Sequence, residues 1–334
     1  VADGGSNDRM AYIAATAEAV LGQVPDHISA PGGASRSSLR LHFGEHTVIA
    51  TLRPEFRRTH LEAHVLGQLA EHCDDVPRVL GVSGDVMFQS DIGVHRLNTE
   101  ILEHGGDDQV ELAAEAVAAI FRIHAASRKT ELADFLPHLG SNPDWISSFV
   151  DSVHAMEPYS VGISAGFDKT AVSEFMDFPG VQFLKWDCRS GNAAIGEDGY
   201  LRWFDFEYAG LRHGAEDLAW LIADETWPLA PDVMADVVID CFDPGCGHDI
   251  AEYMEYLSVY TTLHCVQRLK LIEREVKRRG WLRKARVREY DDAGVHPDFA
   301  VQLCRVGAYY SAQSALTAPL TRNFEAAEQS FASA

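Results

Sequence analysis

Residues 183–218 read FLKWDCRSGNAAIGEDGYLRWFDFEYAGLRHGAEDL, and this stretch decides the fold. It sets Asp187, Asn192 and Asp205 around one short hairpin. The apolar and aromatic runs 181–186 and 201–204 predict strands, and the GEDG at 196–199 predicts a turn between two short strands. Such a hairpin brings Asn192 and Asp205 together. A carboxylate held against an incoming hydroxyl, beside an amide and a second carboxylate that grip Mg²⁺ on a nucleotide, is the minimal apparatus for phosphoryl transfer. Asp187 takes the first place, as general base or orienting group. Asn192 and Asp205 take the other two, and Glu207 can add a further oxygen ligand.

Working outward, the organisation changes near residue 92. Before it lie segments rich in β-branched residues, at 38–43, 47–52, 76–82 and 85–89, which predict a small sheet. Between them RTHLEAHVLGQLAE, residues 58–71, sets Leu61, Val65, Leu66 and Leu69 on one face of a helix. Beyond residue 91 helical patterns dominate, at 109–126, 144–153, 232–241, 250–277 and 297–315. The expectation is an α+β protein of two lobes, a small sheet lobe over 1–91 that binds nucleotide and a larger helical lobe over 92–334 that carries the catalytic loop and acceptor site.

Composition bounds the alternatives. The chain has 334 residues, 46% of them hydrophobic, enough for a substantial core. VADGGSNDRMAYIAATAEAVLGQ has no basic region followed by an unbroken apolar run, and no segment offers about 18 uncharged apolar residues in succession. The expectations are a cytoplasmic location and no membrane partner. The six cysteines are irregularly spread and predict free thiols, and Cys241, Cys246, His248, His264 and Cys265 fit no standard zinc spacing. A formal charge of −22 disfavours nucleic acid as a partner and suits a cationic ligand or a solvated surface equally. Against that trend, residues 268–288 hold ten of the 28 basic residues, yet Leu269, Ile272 and Val276 mark an amphipathic helix with a charged outer face. The chain has no Gly-x-Ser-x-Gly elbow and no Walker-type Gly-Lys-Ser turn.

WDCRSGN followed by WFDFEYAGLRHGAEDLA resembles the catalytic and metal motifs of aminoglycoside phosphotransferases and choline-kinase-like enzymes, small-molecule relatives of protein kinases. The resemblance spans roughly residues 28 to 225. The family shows His-Gly-Asp, then Asn after four residues, an Asp-x-Glu and a downstream Asp-Leu-Ala; here Asp187, Asn192, Asp205, Glu207 and Asp217 match. It implies a protein-kinase-like fold, ATP or GTP with Mg²⁺ as cofactors, and a structural Asp217 holding the catalytic loop. Lys185 stands for the usual His and Trp186 for the usual Gly. Arg189 and Ser190 replace a common His-Pro, and Arg189 becomes a candidate contact to the transferred phosphoryl group.

By the same resemblance PGGASR, residues 31–36, is the turn over the phosphates, with Gly32, Gly33 and Ser35 as donors. Glu62 corresponds to the family's ion-pair glutamate. Its partner is usually a strand lysine, but VIATLRPEFRR offers Arg53 as substitute, with Arg57 or Arg58 as fallback. MFQSDIG resembles the connector that meets the nucleotide base, which makes Gln89, Ser90 and Asp91 cofactor-side candidates. His124 reads as a core or helix-face residue.

The acceptor is expected to be a small-molecule hydroxyl, an aminoglycoside-like or other amino-alcohol or amino-sugar compound. Asp224 and Glu225, with the acidic helix segment 252–256, are the candidate surface for it. The alternative is a catalytically weak or inactive kinase-like nucleotide-binding protein, prompted by the absent strand lysine. Neither oligomeric state nor nucleotide preference is encoded in any motif.

Overall fold

The computed structural model describes residues 4–31, 33, 36–159, 162–163, 166–177, 180–290 and 293–333. Five antiparallel strands form the N-terminal sheet: β1 (His27–Ser29), β2 (Ser38–Phe43), β3 (His46–Leu52), β4 (Val79–Ser83) and β5 (Val86–Ser90), in the order β1-β2-β3-β5-β4. Alternation decides their faces. Leu39, Leu41, Val48, Ala50, Val86 and Phe88 point to one side, where Ile13 and Ala17 of helix α1 (Gly4–Leu21) cover them. Arg40, Ile49, Thr51 and Gln89 point to the other side and line the cleft between the lobes. Helix α2 (Phe56–Leu69), expected at 58–71, buries Val65, Leu66 and Leu69 and turns Glu62 inward.

The larger lobe is mainly helical. Helices Asp107–Ser127, Ala215–Ile222, Ile250–Arg279 and Pro297–Ala312 share one continuous apolar core that also takes in α2. A final helix, Thr321–Ala332, packs so closely that a Cβ on Gly307 would come within 2.2 Å of Phe324. Sequence periodicity located most of these helices but gave no sign of α1, Leu97–Glu103 or Thr321–Ala332. Among the described residues no helix is long and apolar enough to cross a membrane.

One expected pairing is corrected. The strand foreseen at 181–186 stops at Gln182–Leu184 and pairs with Gly210–Arg212, whereas the hairpin around Gly196 to Gly199 joins Ala193–Ile195 to Leu201–Trp203. The cause is local: Trp186 and Asp187 adopt φ of 61° and 52°, left-handed values that end an extended strand. The result is a two-lobed, protein-kinase-like α+β architecture with its loop-rich seam facing the cleft.

Candidate active site

Three non-glycine residues have left-handed φ among the described residues, Trp186, Asp187 and Asp205, and all three lie at the seam. Such backbone costs of order 1–3 kcal/mol per residue and persists only where the surroundings hold it. Two groups hold it here. The Asp217 carboxylate accepts from the backbone N–H of Lys185 and of Trp186, each at 2.8 Å, and meets His124 Nε2 at 2.9 Å. From the opposite side the buried Lys185 Nζ reaches the backbone carbonyls of Trp186, Asp187 and Asp205, at 3.4, 3.3 and 3.1 Å. Its ammonium also lies over the Phe206 and Trp203 rings. Lys185 therefore ties the catalytic loop to the Asp205 segment.

On that loop Arg189 Nε donates to Asp187 Oδ1 at 2.8 Å, and Asn192 Nδ2 donates to Asp187 Oδ2 at 3.1 Å and to its backbone carbonyl at 2.9 Å. Burial pushes the Asp187 carboxyl up, but the charges of Arg189, Lys185 and Arg268 outweigh it and hold the group below the usual carboxylate range. Asp187 is thus an ionised acceptor at neutral pH. The Asn192 carbonyl accepts from Phe204 N at 2.9 Å, which fixes the amide beside the Asp205 segment as the hairpin requires.

Asp205 is joined to the upper lobe through Arg53. The buried guanidinium donates from Nε and Nη2 to Glu62 Oε2 at 3.0 and 2.7 Å, from Nη2 to Asp205 Oδ1 at 2.6 Å, and pairs through Nη1 with Glu207 Oε1 at 2.8 Å. Burial works against the Arg53 charge, and the three carboxylates more than compensate, raising its pKa. Burial raises the Glu62 and Glu207 carboxyls, with Arg53 opposing in both. Arg58 also lies 3.5 Å from Glu207. Glu62 additionally accepts from Phe206 N at 2.9 Å, so the arginine–glutamate pair spans both lobes. Arg57 does not line the cleft.

The metal question rests on the donor set. Because Asn192 spends its Nδ2 on Asp187, its Oδ1 is directed elsewhere, and neither that atom nor Asp205 Oδ2 carries a hydrogen bond among the described residues. Both oxygens suit Mg²⁺, which completes its octahedron with water and phosphate oxygens rather than with an all-protein cage. Consistently, no group of three His, Cys, Asp or Glu side chains is arranged to hold a metal among the described residues. Glu207, given over to Arg53 and Arg58, is less open to such a role.

A cleft of about 580 Å³ joins these groups to the upper lobe. Gln89, Ser90 and Asp91 line it. The Asp91 carboxylate is taken by Arg40, Thr47 and Gly93 N, and the Ser90 hydroxyl by Arg78 N, so both side chains fasten the connector. Gln89 is 6% exposed and its Oε1 has no partner among the described residues. Gly33 has a φ of 92°, which only glycine adopts readily. Gly32 and Ser35 lie outside the described residues. Arg36 and Tyr290, which sequence reading passed over, also line the cleft and meet each other through the Tyr290 carbonyl.

The acidic acceptor surface is corrected. Asp224 is 5% exposed and accepts from Ser190 N and Oγ and from Thr226 N and Oγ1. Glu225 is 2% exposed and accepts from Arg268 and from Gly294 N. Both face inward because loop and helix donors surround them, and neither lines the cavities. Segment 252–256 likewise turns Tyr253 and Tyr256 into the core. Beside Asp187 the structure opens instead a cavity of about 370 Å³ with Trp186, Arg189, Tyr208, Trp220, Arg268 and Leu271 in its walls. The periodicity of its helix places Arg268 on a charged outer face; only the fold brings it here. Arg274, Arg278 and Arg279 of the same stretch surround Glu275, and Lys284 pairs with Asp298.

No protein-family model and no curated protein sequence matches the chain. Solved structures do. A choline/ethanolamine kinase family protein from Mesorhizobium loti aligns over 94% of this chain and 99% of its own, at 15% identity and a TM-score of 0.54. Spectinomycin phosphotransferase, in complex with ADP and spectinomycin, aligns over 94% and 98%, at 11% identity and a TM-score of 0.56. Macrolide 2′-phosphotransferase from Brachybacterium faecium aligns over 84% and 97%, at 12% identity and a TM-score of 0.53. The chain thus shares, over nearly its whole length, the two-lobed fold of these proteins.

Proposed function

We propose that this protein is an ATP- or GTP-dependent phosphotransferase that moves the γ-phosphoryl group to a hydroxyl of a small molecule, with a nucleotide lobe over 1–91 and a catalytic and acceptor lobe over 92–334. The carrying observation is the convergence on one cleft of Asp187, Asn192 and Asp205, with Asp187 and Asp205 on strained backbone fastened by Lys185 and Asp217. The shared fold supports the reading, since the solved relatives are described as kinases and phosphotransferases.

In this reading the ionised Asp187 accepts the hydroxyl proton as the oxygen attacks, and Asn192 and Arg189 keep its two carboxylate oxygens aimed. Mg²⁺, held by Asn192 and Asp205, would supply charge neutralisation on the phosphates. Arg53, oriented by Glu62, stands at the phosphate end of the cleft, and Arg189 can meet the transferred group. Gln89, Ser90 and Asp91 form the base-side wall, and Gly33 belongs to the turn over the phosphates.

A binding-only role is the second reading, and one observation favours it. Every nitrogen of the Arg53 guanidinium already serves a carboxylate, so a single Nη1 hydrogen is left for phosphate unless Asp205 or Glu207 is released. The test is transfer from ATP and GTP, with Mg²⁺, to a panel of hydroxyl compounds by the wild type and by Asp187→Asn. Transfer that depends on Asp187 supports the enzyme; nucleotide binding without transfer to any alcohol supports the second reading.

A further inference from the structure

The cavity beside Asp187 is built from cationic and aromatic groups, which bears on the acceptor. Among its described lining residues the sole acid is Asp187, while Arg189 and Arg268 supply two guanidinium groups. A polyamine would need carboxylates on these walls, and the two acids that the sequence offered for that purpose, Asp224 and Glu225, are buried and occupied. Glu225 fixes Arg268 by taking Nε and Nη2, leaving Nη1 with no hydrogen bond among the described residues. Arg189 is tied to Asp187, so Arg268 is the principal cation for an acceptor. The opposite walls, Trp186, Trp220 and Tyr208, give flat apolar surface, with the first two ring centroids 5.8 Å apart. Trp220 also carries an indole N–H with no partner among the described residues, a second donor for an acceptor oxygen.

From this lining we infer that the acceptor is an anionic alcohol, a hydroxyl compound bearing a carboxylate or phosphate that Arg268 receives while its carbon frame lies against the exposed faces of Trp186 and Trp220. The inference rests on the phosphotransferase reading and narrows its substrate class. Guanidinium groups match carboxylate and phosphate geometry with paired N–H donors, which an ammonium-bearing acceptor cannot use. Aromatic walls also suit a quaternary ammonium. Here, however, among the described lining residues such a cation would meet two guanidinium groups and one carboxylate, and that carboxylate already accepts from Arg189. The group transfer balances as follows. The acceptor oxygen bonds to the γ-phosphorus, the β–γ bridging bond breaks, ADP or GDP leaves with that electron pair, and the hydroxyl proton passes to Asp187.

Matched compounds decide the matter: glucuronate, glucose and glucosamine; glycerate, glycerol and serinol; glycerol 3-phosphate; and choline. With the full chain, Mg²⁺ and ATP or GTP, the anionic members should be turned over at least about tenfold better than their neutral counterparts, a preference worth one favourable charge contact. Leu271→Glu places a carboxylate in the wall without touching the Arg268–Glu225 pair, and should cut the anion preference about tenfold; Arg268→Gln should do the same if it folds. Best turnover of serinol, glucosamine or choline, or no charge preference, would overturn the anionic acceptor and leave phosphotransfer standing. A separate reading needs no turnover: quenching of tryptophan fluorescence in protein loaded with ADP and Mg²⁺. Saturable binding of glucuronate or glycerol 3-phosphate that Leu271→Glu abolishes supports the anion pocket even if no transfer occurs, in which case the enzyme reading alone fails. No saturation by any anion up to about 10 mM, an affinity too weak to matter, overturns the pocket.

Discussion

At the residue scale the most consequential side chain is Lys185. It is 1% exposed, and its ammonium is satisfied by three main-chain carbonyls rather than by a carboxylate. Those carbonyls belong to the three non-glycine residues with left-handed φ among the described residues, so one charge-assisted donor offsets the strain of all of them. Lys185→Met keeps the bulk and strands the carbonyls; we expect a loss of about 2–4 kcal/mol in urea unfolding and a fall in kcat larger than any change in nucleotide KM. Arg189 has a different signature. As a carboxyl with a lowered pKa, Asp187 contributes stability that is present above the ordinary carboxylate range and lost as pH falls through its folded value. The rate should therefore be level through neutral pH on its acidic side. Arg189→Gln removes the leading opposing charge and lets burial prevail, so the acidic limb of kcat/KM should move to higher pH. An unmoved limb would mean that Asp187 is not the titrating base.

At the element scale the site depends on where helix Ala215–Ile222 begins. Asp217, in its first turn, binds two consecutive backbone N–H groups of the catalytic loop and His124. Asp217→Asn retains one acceptor oxygen and should cost about 2–3 kcal/mol with a matching loss of turnover, read by thermal unfolding and initial rates. What could be read from the sequence follows the same division. Asp187, Asn192, Asp205 and Asp217 are close in sequence, and the strands and helices joining them are short, so their meeting was legible. Arg53 directly follows β3 and Glu62 lies on the next helix, α2, and their pairing was legible too. The orientation of Asp224 and Glu225 was not, because it is set by Ser190, Arg268 and Gly294, which only tertiary packing brings near. Helix α1 escaped notice because its Ala-rich sequence has weak apolar periodicity.

At the scale of the whole molecule, a formal charge of −22 suits a cationic ligand or a solvated surface equally, and the total says little about a cavity. The two cavities meeting at Asp187 gather Arg36, Arg40, Arg53, Arg96, Arg189 and Arg268 beside Glu62, Asp91, Asp187, Asp205, Glu207 and Glu289, a lining far richer in cations than the total charge suggests. Polyanionic nucleotide and the developing phosphoryl charge are what such a lining accommodates. The lobes are joined across this seam by Arg53, which reaches Glu62 above and Asp205 below. The central claim is that Asp187 takes the proton in phosphoryl transfer. It is tested most directly by single-turnover transfer from ATP or GTP in Asp187→Asn, with nucleotide affinity measured on the same preparation. The account predicts a rate lower by about a thousandfold or more, equivalent to ~4 kcal/mol of transition-state stabilisation, with nucleotide binding retained. Transfer at the wild-type rate in that variant would contradict it.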